Sequence, residues 1–298
     1  MLDTALRIVG IIFPVFACAG LGLFYGWRFR PDMGVVNKLN MDVFAPLLVF
    51  WALMDKPFDF SAYTGLSVGG VVAILAPGLL LLPFALLFRI NLKTFLPPMM
   101  FNNSGNMGLP LILFAFGEEM LQAAVVLFII EMLLHFTVGL YMLDHKTNPL
   151  KLLKMPMIIA AILGLLFSSL HVSLPEPLSN TIGMLGQVSI PLLLFSLGVR
   201  LLEINLRDWQ LGVFGAVAGP LASIAAVMLI MPWLGLTPTE HAILLVFAAL
   251  PPAVLNVLVA EQYRQEPHRV ASIVMLGNLG SLIIIPMALW YALQLMPH

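Results

Sequence analysis

Phe101-Asn102-Asn103-Ser104-Gly105-Asn106-Met107-Gly108-Leu109-Pro110 is the stretch that decides how this chain folds. Three amides, two glycines and a proline interrupt an apolar run near 94–116 that is otherwise long enough to cross a bilayer, which takes about 20 residues. In hydrocarbon each freed backbone group costs several kcal/mol unless it is satisfied. A broken helix therefore persists only where it lines a cavity or lies inside protein. A second break is expected at Pro251-Pro252, within an apolar run near 240–262, because two ring nitrogens donate nothing and the preceding turn loses its partners. Paired interruptions of this kind point to the binding site of a membrane transporter, and each leaves a half-helix N-terminus suited to an anion. Single Pro46, Pro191 and Pro286 read as packing kinks.

The rest of the chain fits a membrane setting. Of 298 residues, 61% are hydrophobic and 10% charged, where a soluble domain is about a quarter charged. This excludes a soluble globular protein and disorder. The apolar runs also lack the alternating segments of about ten residues that an outer-membrane barrel needs. A net charge of −1 gives no basic field for nucleic acid. The one cysteine, Cys18, sits in an apolar run and reads as a packing or membrane-facing residue. The first apolar run continues past Gly22 to Tyr25 without a small-residue cleavage site, so a first transmembrane helix is expected rather than a signal peptide.

Ten runs are candidates for spans: 8–26, 35–54, 66–88, 94–116, 121–142, 155–171, 181–201, 211–231, 240–262 and 270–294. Ten crossings put alternate connections on opposite sides. One side then receives Arg28, Arg30, Lys38, Arg89, Lys93, Lys146, Lys151, Lys154, Arg200, Arg207, Arg264 and Arg269, and the other only Arg7 and Lys56. By the positive-inside rule the basic side is cytoplasmic, with both termini outside.

Two stretches recur. Val43–Phe50 resembles Val188–Phe195 at an offset of 145, and Leu96-Pro97-Pro98 with Asn102 resembles Leu250-Pro251-Pro252 with Asn256 at an offset of 154. The expected organisation is a five-helix repeat over 1–142, a cytoplasmic linker over 143–154 and a second, inverted five-helix repeat over 155–298. The fold class is an all-α integral membrane protein with broken crossing helices four and nine.

Few ionisable residues fall inside the spans. Glu131 is central in span five, with His135 one turn on. A charge at that depth is costly, so the pair is the candidate for binding a proton, an ion or a buried partner. Asp42 reads as an interfacial partner of Lys38. Glu261, close to Arg264, reads as either a snorkelling group or a gate. Asn256, Asn278 and Ser281 are polar residues of the second half that either complete a site or bond between helices. Gly65-Leu66-Ser67-Val68-Gly69 has the spacing of a nucleophile elbow but opens an apolar helix, where small residues serve close packing. The sequence holds no HExxH pair, phosphate loop or Cys/His cluster.

Three segments resemble the auxin efflux carrier family of plant PIN carriers and bacterial permeases: Asn103–Pro110, Ala249-Leu250-Pro251-Pro252-Ala253-Val254 and Ala260-Glu261-Gln262-Tyr263. Thr137 and Leu143-Asp144-His145-Lys146 add to the likeness. The resemblance implies the fold of bile-acid sodium symporters. Spans one, two, six and seven would form a scaffold, and the other six a transport core that moves a carboxylate by an elevator motion. It also implies a substrate contact at Asn103 and a crossover proline at Pro251. The chain departs from PIN carriers at Asn102, where they carry proline, at Glu131, where they carry glutamine, and in an uncharged span three. These departures argue against auxin itself.

The expected function is secondary transport of a small mono- or dicarboxylate, malonate- or malate-like, across a bacterial inner membrane. Asn102, Asn103, Ser104, Asn106, Pro110, Pro251, Pro252 and Asn256 are the expected substrate-binding residues. Glu131, His135 and Asn278 are the expected coupling residues for a proton, or for sodium near Glu131. No cofactor is expected. The expected partners are the substrate and the bilayer, with a homodimer through the scaffold helices as the candidate assembly. Rival readings are an intramembrane enzyme on a lipid-soluble substrate and a passive anion channel.

Overall fold

The computed structural model describes residues 2–55, 58–59, 61–145, 149–203 and 207–296. Its helices are α1 (Leu2–Phe29), α2 (Gly34–Met54), α3 (Thr64–Leu87), α4 (Leu92–Met100), α5 (Ser104–Phe116), α6 (Glu118–Leu143), α7 (Pro156–Ser169), α8 (Glu176–Arg200), α9 (Trp209–Trp233), α10 (Pro238–Ala248), α11 (Leu255–Gln262) and α12 (Pro267–Gln294). No strand occurs among the described residues. Seven helices, α1, α2, α3, α6, α8, α9 and α12, are long and apolar enough to cross a membrane. The other three expected runs become two broken pairs, α4/α5 and α10/α11, and the 14-residue α7.

The outer surface is apolar. Leu87 and Trp233 are 76% and 77% exposed, and Leu79, Ile283 and Met287 stand out beside them. Water would penalise such a surface, whereas hydrocarbon does not. The chain is an integral membrane protein.

Helix packing separates into two sets. In one, α1 lies along α8, and α2 packs on α7 and α8. In the other, α3 packs on α4, α6 and α9, and α12 packs on α9, α10 and α11. Glycines mark the closest approaches. A Cβ on Gly198 of α8 would lie 1.8 Å from the Ala19 carbonyl oxygen of α1, and one on Gly22 would lie 2.1 Å from that of Phe195. In the second set Gly65 and Gly69 abut Leu234 and Leu244. The elbow-like spacing is therefore a packing feature. For every glycine with neighbours in reach, the nearest atoms belong to its own set. The two sets are each tightly knit and meet through side chains.

Contacts between connections define two ends. At one, Ser168 Oγ accepts from the Phe58 N–H at 2.7 Å and Tyr63 donates to Gln122 Oε1 at 2.9 Å. Burial, and then the nearby Glu240 carboxylate, push the Tyr63 phenol above its ordinary value. At the other end, Lys93 Nζ donates to Leu143 O at 2.8 Å and Thr94 Oγ1 to Glu266 Oε2 at 2.7 Å, while Arg269 pairs with Asp208 at 3.4 Å. This second end is the basic one. Lys56 and Lys146 of the charge tally lie outside the described residues. Lys38 and Asp42 form the expected exposed ion pair, and Glu261 is exposed on α11.

Candidate functional site

The two breaks meet inside the second helix set. The Asn103 N–H donates to Pro251 O at 2.7 Å and the Ala253 N–H to Phe101 O at 2.8 Å, flanking an antiparallel bridge between Asn102 and Pro252. Backbone groups freed by each break are thus satisfied by the other break. Asparagine side chains complete the exchange. Asn102 Nδ2 donates to Phe247 O at 2.9 Å, and Asn256 Nδ2 to Phe101 O and Ala253 O, each at 3.0 Å. Asn278 Nδ2 donates to Pro252 O at 3.0 Å and Val274 O at 2.8 Å, and its Oδ1 accepts from Asn103 Nδ2 at 2.9 Å.

Pro97 and Pro98 lie inside α4, before the first break, whereas Pro251 and Pro252 lie in the second. The bridge joins Asn102 to Pro252 across the crossing.

A cavity of about 150 Å³ opens beside the crossing, between the two helix sets. Asn102, Asn103 and Asn106 line it at the crossing, and Glu131 and His135 line it from α6. Three π-helical turns, Asn40–Phe44, Ser104–Gly108 and His135–Gly139, each contribute lining residues. Such turns are rare and cluster at functional sites because they push side chains out of helical register. Residues at the starts of α5 and α11, namely Gly105, Asn106, Val254 and Leu255, also line this space.

Glu131 and His135 are 5% and 2% exposed. His135 Nδ1 lies 2.9 Å from Glu131 Oε1, and Ser104 Oγ donates to Glu131 Oε2 at 3.3 Å. The imidazole stacks on Phe101, with centroids 4.4 Å apart and planes at 13°. The carboxylate thus touches the first residue of one half-helix, and its histidine touches the last residue before the break.

Of the expected site residues, Asn102, Asn103, Asn106, Glu131 and His135 line the cavity, and Ser104 reaches it through Glu131. Pro110, Pro251, Pro252, Asn256 and Asn278 do not line it. Pro110 sits in the first turn of the regular part of α5. The other four hold the crossing together, as their hydrogen bonds show. Opposite the crossing, Asn37 and Asn40 of α2 and Ser196 and Arg200 of α8 line the cavity, and sequence reading missed them. Polar residues three apart in α2 and four apart in α8 were the available signal. The sequence, with Arg200 at the end of the expected span 181–201, counts it only toward the basic side.

A chain with lipid-facing helices, two crossed breaks and an internal polar cavity has the build of a membrane transport protein. The family model described as membrane transport protein matches residues 8–291, and the chain belongs to this family, that of the auxin efflux and PIN-like carriers. No curated protein matches the sequence.

Proposed function

We propose that the protein is a secondary active transporter of a small organic anion, a mono- or dicarboxylate, working by alternating access across a bacterial inner membrane. The observation that carries this reading is the polar cavity where two half-helix N-termini converge. Its volume, about 150 Å³, is below the roughly 300–1,000 Å³ of pockets for drug-sized ligands, which favours a short-chain acid. We read ten crossings in two inverted halves, with the broken pairs and α7 completing the seven long helices, and the basic end facing the cytoplasm.

An elevator motion, in which the second helix set slides against the first, is supported by glycine contacts that stay within each set. The sets touch through α1 with α5 and α12, through α2 with α6, and at the basic end through Leu201–Glu203 with α12, while the cavity reaches toward that end at Met155 and Arg200. Glu131 with His135 is the proposed coupling group for a proton or sodium ion, because the pair bridges to both sides of the first break.

Uptake of labelled malonate and propionate into proteoliposomes, under imposed proton and sodium gradients, tests the reading. We expect accumulation that collapses with one of the gradients and is lost in Glu131→Gln, while Glu131→Gln retains exchange without a gradient. Flux that only equilibrates would make the pathway passive. Gradient dependence unchanged in Glu131→Gln would remove the coupling role, and no flux of either acid would remove the anion reading.

A further inference from the structure

The cavity has two polar ends, contributed by different helix sets. One is the crossing. The other is built by Asn37 and Asn40 on α2 and by Ser196 and Arg200 on α8. We propose that Arg200 is a second anion anchor of this site and selects ligands that carry two anionic groups, one held at the crossing and one at the guanidinium. The proposal rests on the reading of the crossing as a carboxylate site.

Arg200 is the only lysine or arginine lining the cavity among the described residues. It stands one turn beyond Ser196 on the same face of α8. Ser196 Oγ donates to Asn37 Oδ1 at 2.7 Å, which ties that face to the start of α2. Arg200 itself makes no hydrogen bond or ion pair among the described residues, and it is partly buried. Among the described residues the only carboxylate lining the cavity, Glu131, already has both oxygens engaged by His135 and Ser104.

A guanidinium stays charged at every physiological pH and presents a planar fork of donors matched to a carboxylate. Partly desolvated among Met155, Met157 and Leu193 and without a partner among the described residues, it is complementary to an incoming anion. Asn40, 2% exposed, lines the same end of the cavity. A carboxyl group at this end would lie among Asn37 and Asn40, whose Nδ2 groups are the donors on offer, the Ser196 proton being committed to Asn37 Oδ1. The rival explanation is that Arg200 only complements the C-terminal dipole of α8 and anchors it at the interface. That role would leave ligand selectivity untouched.

Binding of malonate and propionate to the purified full chain, measured by isothermal titration calorimetry, separates the two. The wild type is expected to bind malonate more tightly than propionate. Arg200→Gln should weaken malonate by about 10- to 100-fold, the range for losing a hydrogen bond to a charged group, and collapse the malonate-to-propionate preference. Arg200→Lys should recover part of that preference, since it restores the charge without the fork. Arg200→Met, which keeps the apolar stem, replaces the glutamine variant if that fails to fold. An unchanged preference in the neutral variant, or equal weakening of both acids, overturns the proposal. Asn103→Ala is the control for the crossing and should weaken both acids. If both bind the wild type and only Asn103→Ala matters, the crossing stands and Arg200 falls. If neither acid binds the wild type, both readings fall.

Discussion

Asn278 makes the crossing directional. Its Nδ2 faces two carbonyls, Pro252 O and Val274 O, so its Oδ1 must be the atom presented to Asn103, and Asn103 must answer with its own Nδ2. Asn278→Asp would set a carboxylate oxygen against two carbonyl oxygens in a buried place. Asn278→Ala would leave Pro252 O and the Asn103 amide without these partners, while Val274 O keeps its place in the α12 hydrogen-bond ladder. Each unsatisfied buried group costs about 1–3 kcal/mol, so both variants should melt lower than the wild type, with the aspartate lowest. Differential scanning fluorimetry of purified protein measures this, and a wild-type melting temperature in Asn278→Asp would refute the structural role. The same residue was expected from sequence to help couple an ion. Intramembrane polarity marked it as important, but only its neighbours showed that it staples one break to the other.

At the scale of helices, the contact between α1 and α8 depends on missing side chains. A Cβ on Gly198 would penetrate the Ala19 carbonyl, whereas one on Gly20, the next residue of α1, would meet nothing within 4 Å. Gly198→Ala must push α8 off α1 and should cost about 1–3 kcal/mol or more, as overpacking does. Gly20→Ala should be neutral or slightly stabilising, because alanine is the better helix former. Thermal melts of the two variants, side by side, check the contrast, and equal melting temperatures would mean that the two helices do not approach as closely as described. The breaks follow a similar logic of local chemistry. The second was legible from Pro251-Pro252. The first was legible from its amides and glycines, yet the residue it faces was not, because the bridge joins Asn102 to Pro252 in a distant segment of the chain.

For the whole molecule, the charge distribution makes the sharpest claim. Glu119, in the first turn of α6, and Lys154, on the connection before α7, are both exposed and lie at opposite ends. With Cys18 replaced by serine, an impermeant maleimide should label Glu119→Cys in intact cells and Lys154→Cys only in inverted vesicles. The reverse pattern would invert the topology, and labelling of both from one side would break the ten-crossing reading. The helical class, the membrane setting and most long spans were legible because hydrophobicity over about 20 residues is a local property. The division into two packed sets was not legible from residues alone, since it depends on which helix faces meet.

The sequence by itself determined that this chain lives in a bilayer, where its helices break, and which carboxylate and histidine lie deep in the apolar region. These follow from the cost of exposing charge and unpaired backbone to hydrocarbon, a cost each segment bears wherever its neighbours are. Only the tertiary structure decided that Asn102 faces Pro252, that Asn256 and Asn278 bind backbone rather than line the cavity, and that Arg200 turns from a charge counted toward the basic side into part of its wall. Those facts are pairings between distant segments. Their energies come from complementary donors, acceptors and surfaces that become neighbours only when the helices assemble.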